Sequence, residues 1–279
     1  MIPESGGLAI CLKALHLSSF AACFQEMSGT AESQGWSHQQ YLQHLAEIEL
    51  EDRRQDRIER LLKASGLPRD KTLASLDMTV LPERVKKMLP SLCEGHFLGR
   101  AENIVAFGLP GRGKTHLLCA IGHELVRRGH PVLFIPAYRL VQKLLVAKRD
   151  LILEKELKKL DRFEAVILDD IGYVQQDREE MEVLFTFLAE RYERGSVLIS
   201  SNLVFSQWDK IFKDSMTTAA AIDRMVHHCV ILELTGQSYR NQEAQKRNAD
   251  TQLRGNGHGR GAELIPEDRL AEAEVRAQE

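Results

Sequence analysis

Excess charge of either sign is missing from this sequence: 37 Lys and Arg stand against 40 Asp and Glu, a formal net charge of −3 over 279 residues. Such a balance gives no electrostatic hint of nucleic acid, so a polyanion-binding surface would have to be a local patch. Cysteine is sparse and unpatterned. Cys11, Cys23, Cys93, Cys119 and Cys229 are odd in number, widely spaced and never in C-x-x-C, which argues against a disulfide framework or a zinc site and suits a reducing cytosol. No run reaches the roughly 18 apolar residues that a membrane span needs. The one candidate targeting segment, "LAICLKALHLSSFAACF", is interrupted by Lys13 and His16 and follows no basic region, so it reads as a buried or interface helix. Internal repeats are absent too. The expectation is a soluble, cytoplasmic protein with no membrane partner.

What is present is ordinary in amount, 43% hydrophobic and 28% charged, with room for one large domain and a smaller one. Its order along the chain is more informative. Up to about residue 75 the pattern is helical. One helix is expected from roughly Leu8 to Met27, ending at Ser28-Gly29. A second starts at the capping box Ser37/Gln40 and closes at Gly66 and Pro68. Within it Arg53, Arg57 and Arg60 share a face, either a solvated face laced with acids or a ridge that contacts phosphates. From Asn103, short apolar runs at "NIVAF", "PVLFI", "AVILDD", "SVLIS" and "CVILEL" alternate mostly with helix-length segments. That alternation predicts an α/β domain with a parallel sheet covered on both faces. The end of the chain is polar and glycine-rich and reads as a disordered tail. The expected division is a helical domain over 1–75, an α/β domain over 76–248 and a tail over 249–279.

The chemistry begins at "FGLPGRGKTHLL". Gly108, Gly113, Lys114 and Thr115 fit G-x-x-x-x-G-K-[ST], with a strand before the motif and an apolar-periodic helix after it. Glycines let backbone N–H groups turn around phosphates, and a helix N-terminus adds its positive dipole end. Lys114 is the candidate for the β- and γ-phosphates and Thr115 for Mg²⁺; Gly111 and His116 complete the nucleotide-binding set. At the end of "AVILDD", Asp169 is the candidate for the Mg²⁺ shell and Asp170 for polarising the attacking water, against the bland reading of two turn carboxylates. Asp170 stands where Glu is common and is one methylene shorter, so its hold on the water should be looser and hydrolysis slower. "DDIG" also fits the D-x-x-G of GTPases, but no N-K-x-D follows, and no L-S-G-G-Q is present. Asn202 ends the next strand and either senses the γ-phosphate or sits in an ordinary turn. Arg224 is placed to reach a neighbouring subunit's nucleotide, or pairs with Asp223 or another nearby acid. Arg240 is a weaker sensor candidate, and His227-His228 read as structural.

The set "GLPGRGKTHLL", "AVILDDIGY", "LISSNLVFSQW", "AIDRMVHH" and "TGQSYR", in that order, resembles the IstB-type insertion-sequence ATP-binding proteins. These are AAA+ ATPases related to the DnaC helicase loaders. The resemblance runs from about residue 8 to 248 and takes in "YLQHLAEIELEDRR" and "GRAENIVAFG" upstream. It implies an α/β AAA+ P-loop domain preceded by a small all-helical domain for self-assembly or for DNA or transposase contact. It also implies an ATPase that assembles as a homo-oligomer on duplex DNA, bends it and recruits an integrase-like transposase, with a nucleoid location when on DNA. By resemblance Lys114, Thr115, Asp169, Asp170 and Asn202 form the ATP site, Arg224 is the arginine supplied across a subunit interface, and the Asp-Asp pair is usual. Leu109 and Arg112 depart from the commoner G-P-P-G-T-G outside its invariant positions. The alternative in the same fold is a helicase loader that binds single strands; a metabolic P-loop kinase would need a lid with paired arginines that the sequence lacks. For DNA contact a second candidate is the stretch from Arg139 to Lys159, seven Lys/Arg against three Asp/Glu. There Arg139, Lys143, Lys148, Lys155 and Lys159 are the candidates, the last three on one face if the stretch is a single helix.

Overall fold

The computed structural model describes residues 5–173, 178–208, 219, 222, 223, 225 and 229–235. These residues fall in one compact unit. The expected tail and Arg240 lie outside them.

All five apolar runs are strands: β1 (Asn103–Phe107), β2 (Val132–Pro136), β3 (Ala165–Asp169), β4 (Ser196–Ser201) and β5 (Cys229–Glu233). They form one parallel sheet in the order β2-β3-β4-β1-β5. Because successive strand side chains point to opposite faces, each central strand feeds two cores. Val105 and Phe107 of β1, Val166 and Leu168 of β3, and Val197 and Ile199 of β4 pack with helices α6 (Ala137–Arg149), α7 (Leu153–Leu160) and α8 (Arg178–Arg191). Ile104, Ala106, Ile167 and Leu198 face α4 (Glu83–Glu94) and α5 (Lys114–Arg127) on the other side. This is the covered parallel sheet that the continuous hydrophobic runs predict.

One buried cation ties the sheet to its helices. Arg191, at the end of α8, is 3% exposed and donates to the carbonyls of Leu160, Phe163, Glu164 and Ser196 at 2.8–3.3 Å. Burial pushes its guanidinium down to about 10. A Cβ on Gly195 would lie 2.3 Å from Nη2 of Arg191, so glycine is required there for this clamp.

The N-terminal helices are α1 (Ser5–Ala14), α2 (Ser18–Gln34) and α3 (His38–Ser65). The capping box at Ser37/Gln40 is present, and Gly66 closes α3 in the left-handed region. The first expected helix is corrected in two ways. It breaks at 15–17, where His16 takes φ 56°, and it runs through Ser28-Gly29 to end at left-handed Gly35. The cause is tertiary. Leu17 offers α2 no side-chain cap; instead Glu49 of α3 accepts from the N–H groups of Ser19 (2.9 Å) and Phe20 (3.1 Å). Arg53 donates to Glu49 at 2.8 Å and to the His16 carbonyl at 2.5 Å. Burial pushes the Glu49 carboxyl up, but Arg53 and the two amides outweigh it and hold it below its ordinary 4.5. A carboxyl depressed in the folded state contributes stability that is present above its unfolded pKa and lost as pH falls through the folded one. The contact of α1 and α2 with α3 should therefore hold at neutral pH and loosen below about pH 4.5. Amide exchange of residues 5–34 between pH 7 and pH 3.5 checks this, as does Glu49→Gln, which should remove the acid-dependent step.

Between α3 and α4 the chain runs along α5. Nε2 of His123 donates to the Pro68 carbonyl at 2.9 Å, and Leu67 lies over Gly122, where a Cβ would meet Leu67 at 3.1 Å and Ile167 at 2.8 Å. Helix α3 also contacts α5 and β2. No helix among the described residues is long and apolar enough to cross a membrane.

Candidate active site

Ligands of open α/β sheets bind beyond the carboxyl ends of the strands, and the predicted chemistry gathers there. The loop from β1 to α5 leaves the sheet through Gly108 at φ 153°, where a Cβ would stand 2.6 Å from the Leu234 carbonyl just after β5. Gly111 (φ 81°) and Gly113 (φ 82°) continue in the left-handed region. Gly113 is the N-cap of α5 and offers no side-chain acceptor, so the first amides of that helix are left to an external anion.

Lys114 is 7% exposed. Its Nζ donates to the carbonyls of Gly108 (2.7 Å) and Leu109 (3.1 Å) and to Oδ1 of Asn202 (2.6 Å). The ammonium thus sits inside the cradle of its own loop. Asn202 also donates through Nδ2 to Oδ1 of Asp170 at 3.1 Å. It is fixed by the turn after β4, where the Ser201 hydroxyl donates to the Leu203 carbonyl and accepts from the Leu203 amide. Behind that turn Trp208 is fully buried and donates to the same carbonyl.

Thr115 donates to Oδ1 of Asp169 at 2.6 Å. Two hard oxygen donors, a hydroxyl at the helix start and a carboxylate at the end of β3, therefore converge beside the phosphate cradle, which fits Mg²⁺. Sequence reasoning missed Ser200. Its buried hydroxyl donates to Oδ1 of Asp169 at 2.7 Å and accepts from the amide of Asp170 at 2.8 Å. The serine pair Ser200-Ser201 that follows the apolar run Val197–Ile199 was the available signal. Asp170 itself has φ 62°, a conformation that Asp and Asn tolerate better than most residues.

The structure brings Gly108, Gly111, Gly113, Lys114, Thr115, Asp169, Asp170 and Asn202 into one site. The ring of His116 turns elsewhere: its Nε2 meets Ser75 Oγ at 3.1 Å and the Thr72 carbonyl at 3.2 Å. It joins the phosphate-loop helix to the segment that follows α3. Arg224 lies outside the described residues. Its neighbour Met225 is buried, and its carbonyl accepts from Asn103 at 3.3 Å.

The basic residues divide. The stretch from Arg139 to Lys159 is two helices, because Leu151 takes φ 59° between α6 and α7; the shared face of Lys148, Lys155 and Lys159 does not form. Lys143 and Lys159 both pair with Glu156, and Lys148 pairs with Glu182 at 2.8 Å. Arg139 lies over the Tyr138 ring, and Lys155 is exposed. On α3, Arg60 donates to the Asp56 carbonyl of its own helix, while Arg57 reaches the Gly129 carbonyl at 3.1 Å. That last contact closes a hollow of about 380 Å³ in which Arg53, Arg54 and Arg57 face Arg127 and Arg128, with Leu50 and Ile58 in its wall. Arg127 and Arg128 are 70 or more positions beyond Arg57, so no sequence window shows the cluster.

Sheet order, glycine loop, lysine and strand-end carboxylates together define a P-loop ATPase of the AAA+ class. A solved structure of DnaI shares this fold, with a TM-score of 0.51 at 21% identity over 61% of this chain and 96% of that one. Within the class, residues 10–248 match the model of the IstB-like ATP binding protein family, and the chain belongs to that family. It is similar to a putative insertion sequence ATP-binding protein of Sinorhizobium fredii, 41% identical over 87% of this chain and 82% of that one. It also resembles the insertion sequence IS21 putative ATP-binding protein of Pseudomonas aeruginosa, 37% identical over 84% and 88% of the two chains.

Proposed function

We propose that the protein is the ATP-dependent assembly factor of an insertion sequence: it binds duplex DNA as a homo-oligomer, bends it, and recruits and stimulates an integrase-like transposase. The observation that carries the reading is the continuous polar chain Lys114–Asn202–Asp170 across the mouth of the site. It joins the group that binds the γ-phosphate to the group that activates water, as an ATP-driven switch requires. Membership of a family whose relatives bear insertion-sequence names supplies the biological setting.

In this reading Lys114 leaves the carbonyls of Gly108 and Leu109 for the β- and γ-phosphates. Thr115 and Asp169 would hold Mg²⁺, which neutralises phosphate charge. Asp170 takes the proton of the attacking water, Asn202 orients that carboxylate, and Arg224 of a neighbouring copy stabilises the charge that develops; the products are ADP and phosphate. The helical region over 1–75 serves self-assembly and contact with DNA or transposase, and the region over 76–248 the ATPase.

For the DNA surface we favour the arginine hollow, where five guanidinium groups from two helices line one concavity, over the candidates on α6 and α7, which are spread over two helices and do not share a face. Arg128 lines the hollow, and Arg54 meets the exposed Glu51 at 3.6 Å, a long surface pair that phosphate can displace. Duplex affinity should fall steeply with salt, and Arg54→Ala or Arg128→Ala should each reduce the slope of log K against log[salt] by about 1 without changing sequence preference. Titration of a labelled duplex between 50 and 200 mM salt, roughly the range over which phosphate contacts dissolve, checks this. A flat salt dependence, or a preference for single strands, would count against the duplex reading.

A further inference from the structure

Ser200 belongs to neither of the motifs that flank it, and nothing in the ATPase scheme above uses it. It lies in β4, a strand paired on both sides, opposite Ala106 of β1, and is 1% exposed. A buried hydroxyl in a central strand needs partners for both its proton and its lone pairs. Here both partners are parts of the reaction centre. The proton goes to Oδ1 of Asp169, and a lone pair receives the N–H of Asp170.

Two consequences follow from that geometry. Asp169 Oδ1 accepts from two hydroxyls, one on the phosphate loop (Thr115) and one on the sheet (Ser200). The loop donor belongs to the element that must receive nucleotide; the sheet donor is held by strand pairing and keeps the carboxylate aimed when the loop adjusts. Asp170, meanwhile, leaves the end of β3 in the left-handed region, where a non-glycine residue persists only if its surroundings hold it. The hydrogen bond from its amide to Ser200 provides that hold and sets the direction in which the carboxylate meets Asn202.

From this we infer that Ser200 is a positioning residue for ATP hydrolysis, one hydroxyl that fixes the metal-binding carboxylate and the water-activating carboxylate relative to each other. The inference rests on the ATPase reading of the site. Ser200 touches neither phosphate nor water in this role; it acts through Asp169 and Asp170.

The test compares Ser200→Ala, Ser200→Thr and Ser200→Val in the full chain. Thr and Val have nearly the same shape, and both suit a strand, so the pair separates the hydroxyl from packing. Turnover (kcat and KM) is measured together with binding of a fluorescent ATP analogue over a Mg²⁺ series, and thermal unfolding checks the fold. Ser200→Ala and Ser200→Val should lower kcat by about ten-fold and raise the Mg²⁺ concentration for half-maximal analogue binding several-fold, the size of effect seen when a metal ligand loses its supporting hydrogen bond. Analogue affinity without Mg²⁺ should stay as in the parent, and Ser200→Thr should recover most of the loss. Parental kcat and Mg²⁺ dependence in Ser200→Ala would overturn the proposal while leaving the ATPase reading intact. So would equal losses in Ser200→Thr and Ser200→Val, which would make packing the cause. A parent chain that neither binds nor hydrolyses MgATP would overturn both.

Discussion

Lys114→Ala is expected to reduce ATP turnover by about 100-fold or more, the scale on which a preorganised charge at a developing anion acts, and to abolish nucleotide-dependent assembly on DNA. Nζ of Lys114 donates within the cradle to Gly108, Leu109 and Asn202. Alanine removes the cation that phosphates would find there, and it also cuts the link to Asn202 and through it to Asp170. The loss should therefore appear in nucleotide affinity and in turnover together. The lysine lies in the mouth of the site rather than in either apolar core, so the fold should persist. Analogue binding, phosphate release and circular dichroism on the same preparation check this; wild-type turnover in Lys114→Ala would remove the lysine from the mechanism.

Asp170→Asn should separate binding from hydrolysis. Asparagine tolerates the left-handed backbone at φ 62° as aspartate does, and its amide oxygen can still accept from Nδ2 of Asn202. Only the basic carboxylate is lost. Turnover should fall by about two to three orders of magnitude, with nucleotide affinity within about three-fold of the parent. Assemblies formed with ATP should then persist as long as those formed with a non-hydrolysable analogue. A fall in affinity as large as the fall in turnover would show that Asp170 acts on the ground state. The backbone at 170 also gives a second reason for aspartate where glutamate is common: besides its shorter reach, Asp is among the few residues that accept this conformation.

How much of this could be read from the chain depended on the range of the interactions. The five strands were legible because a parallel strand buried on both faces leaves an unbroken apolar run, as in "AVIL" of β3. The phosphate loop, Asp169, Asp170 and Asn202 were legible because each sits at the end of such a run, where sheet topology delivers it to one edge. The start of α3 was legible from Ser37 and Gln40, which cap it locally. The break at His16 was not, because the acceptor that starts α2 is Glu49, 30 positions from Ser19. The same limit hid the pairing of Lys143 and Lys159 with Glu156 and of Lys148 with Glu182. It also hid the approach of Arg57 to Gly129, which assembles the arginine hollow from two helices. Ser200 was overlooked for a different reason: in sequence it is one small polar residue of "SVLISSN", and only its two partners mark it.

The central claim, that ATP binding drives assembly on duplex DNA, is tested most directly by particle size. Sedimentation of the full chain on a duplex, with ATP or a non-hydrolysable analogue and without nucleotide, should show large complexes only when nucleotide is present and Lys114 is intact. Single-stranded competitor should leave them in place. Complexes of the same size without nucleotide, or their dissolution by single strands, would contradict the account.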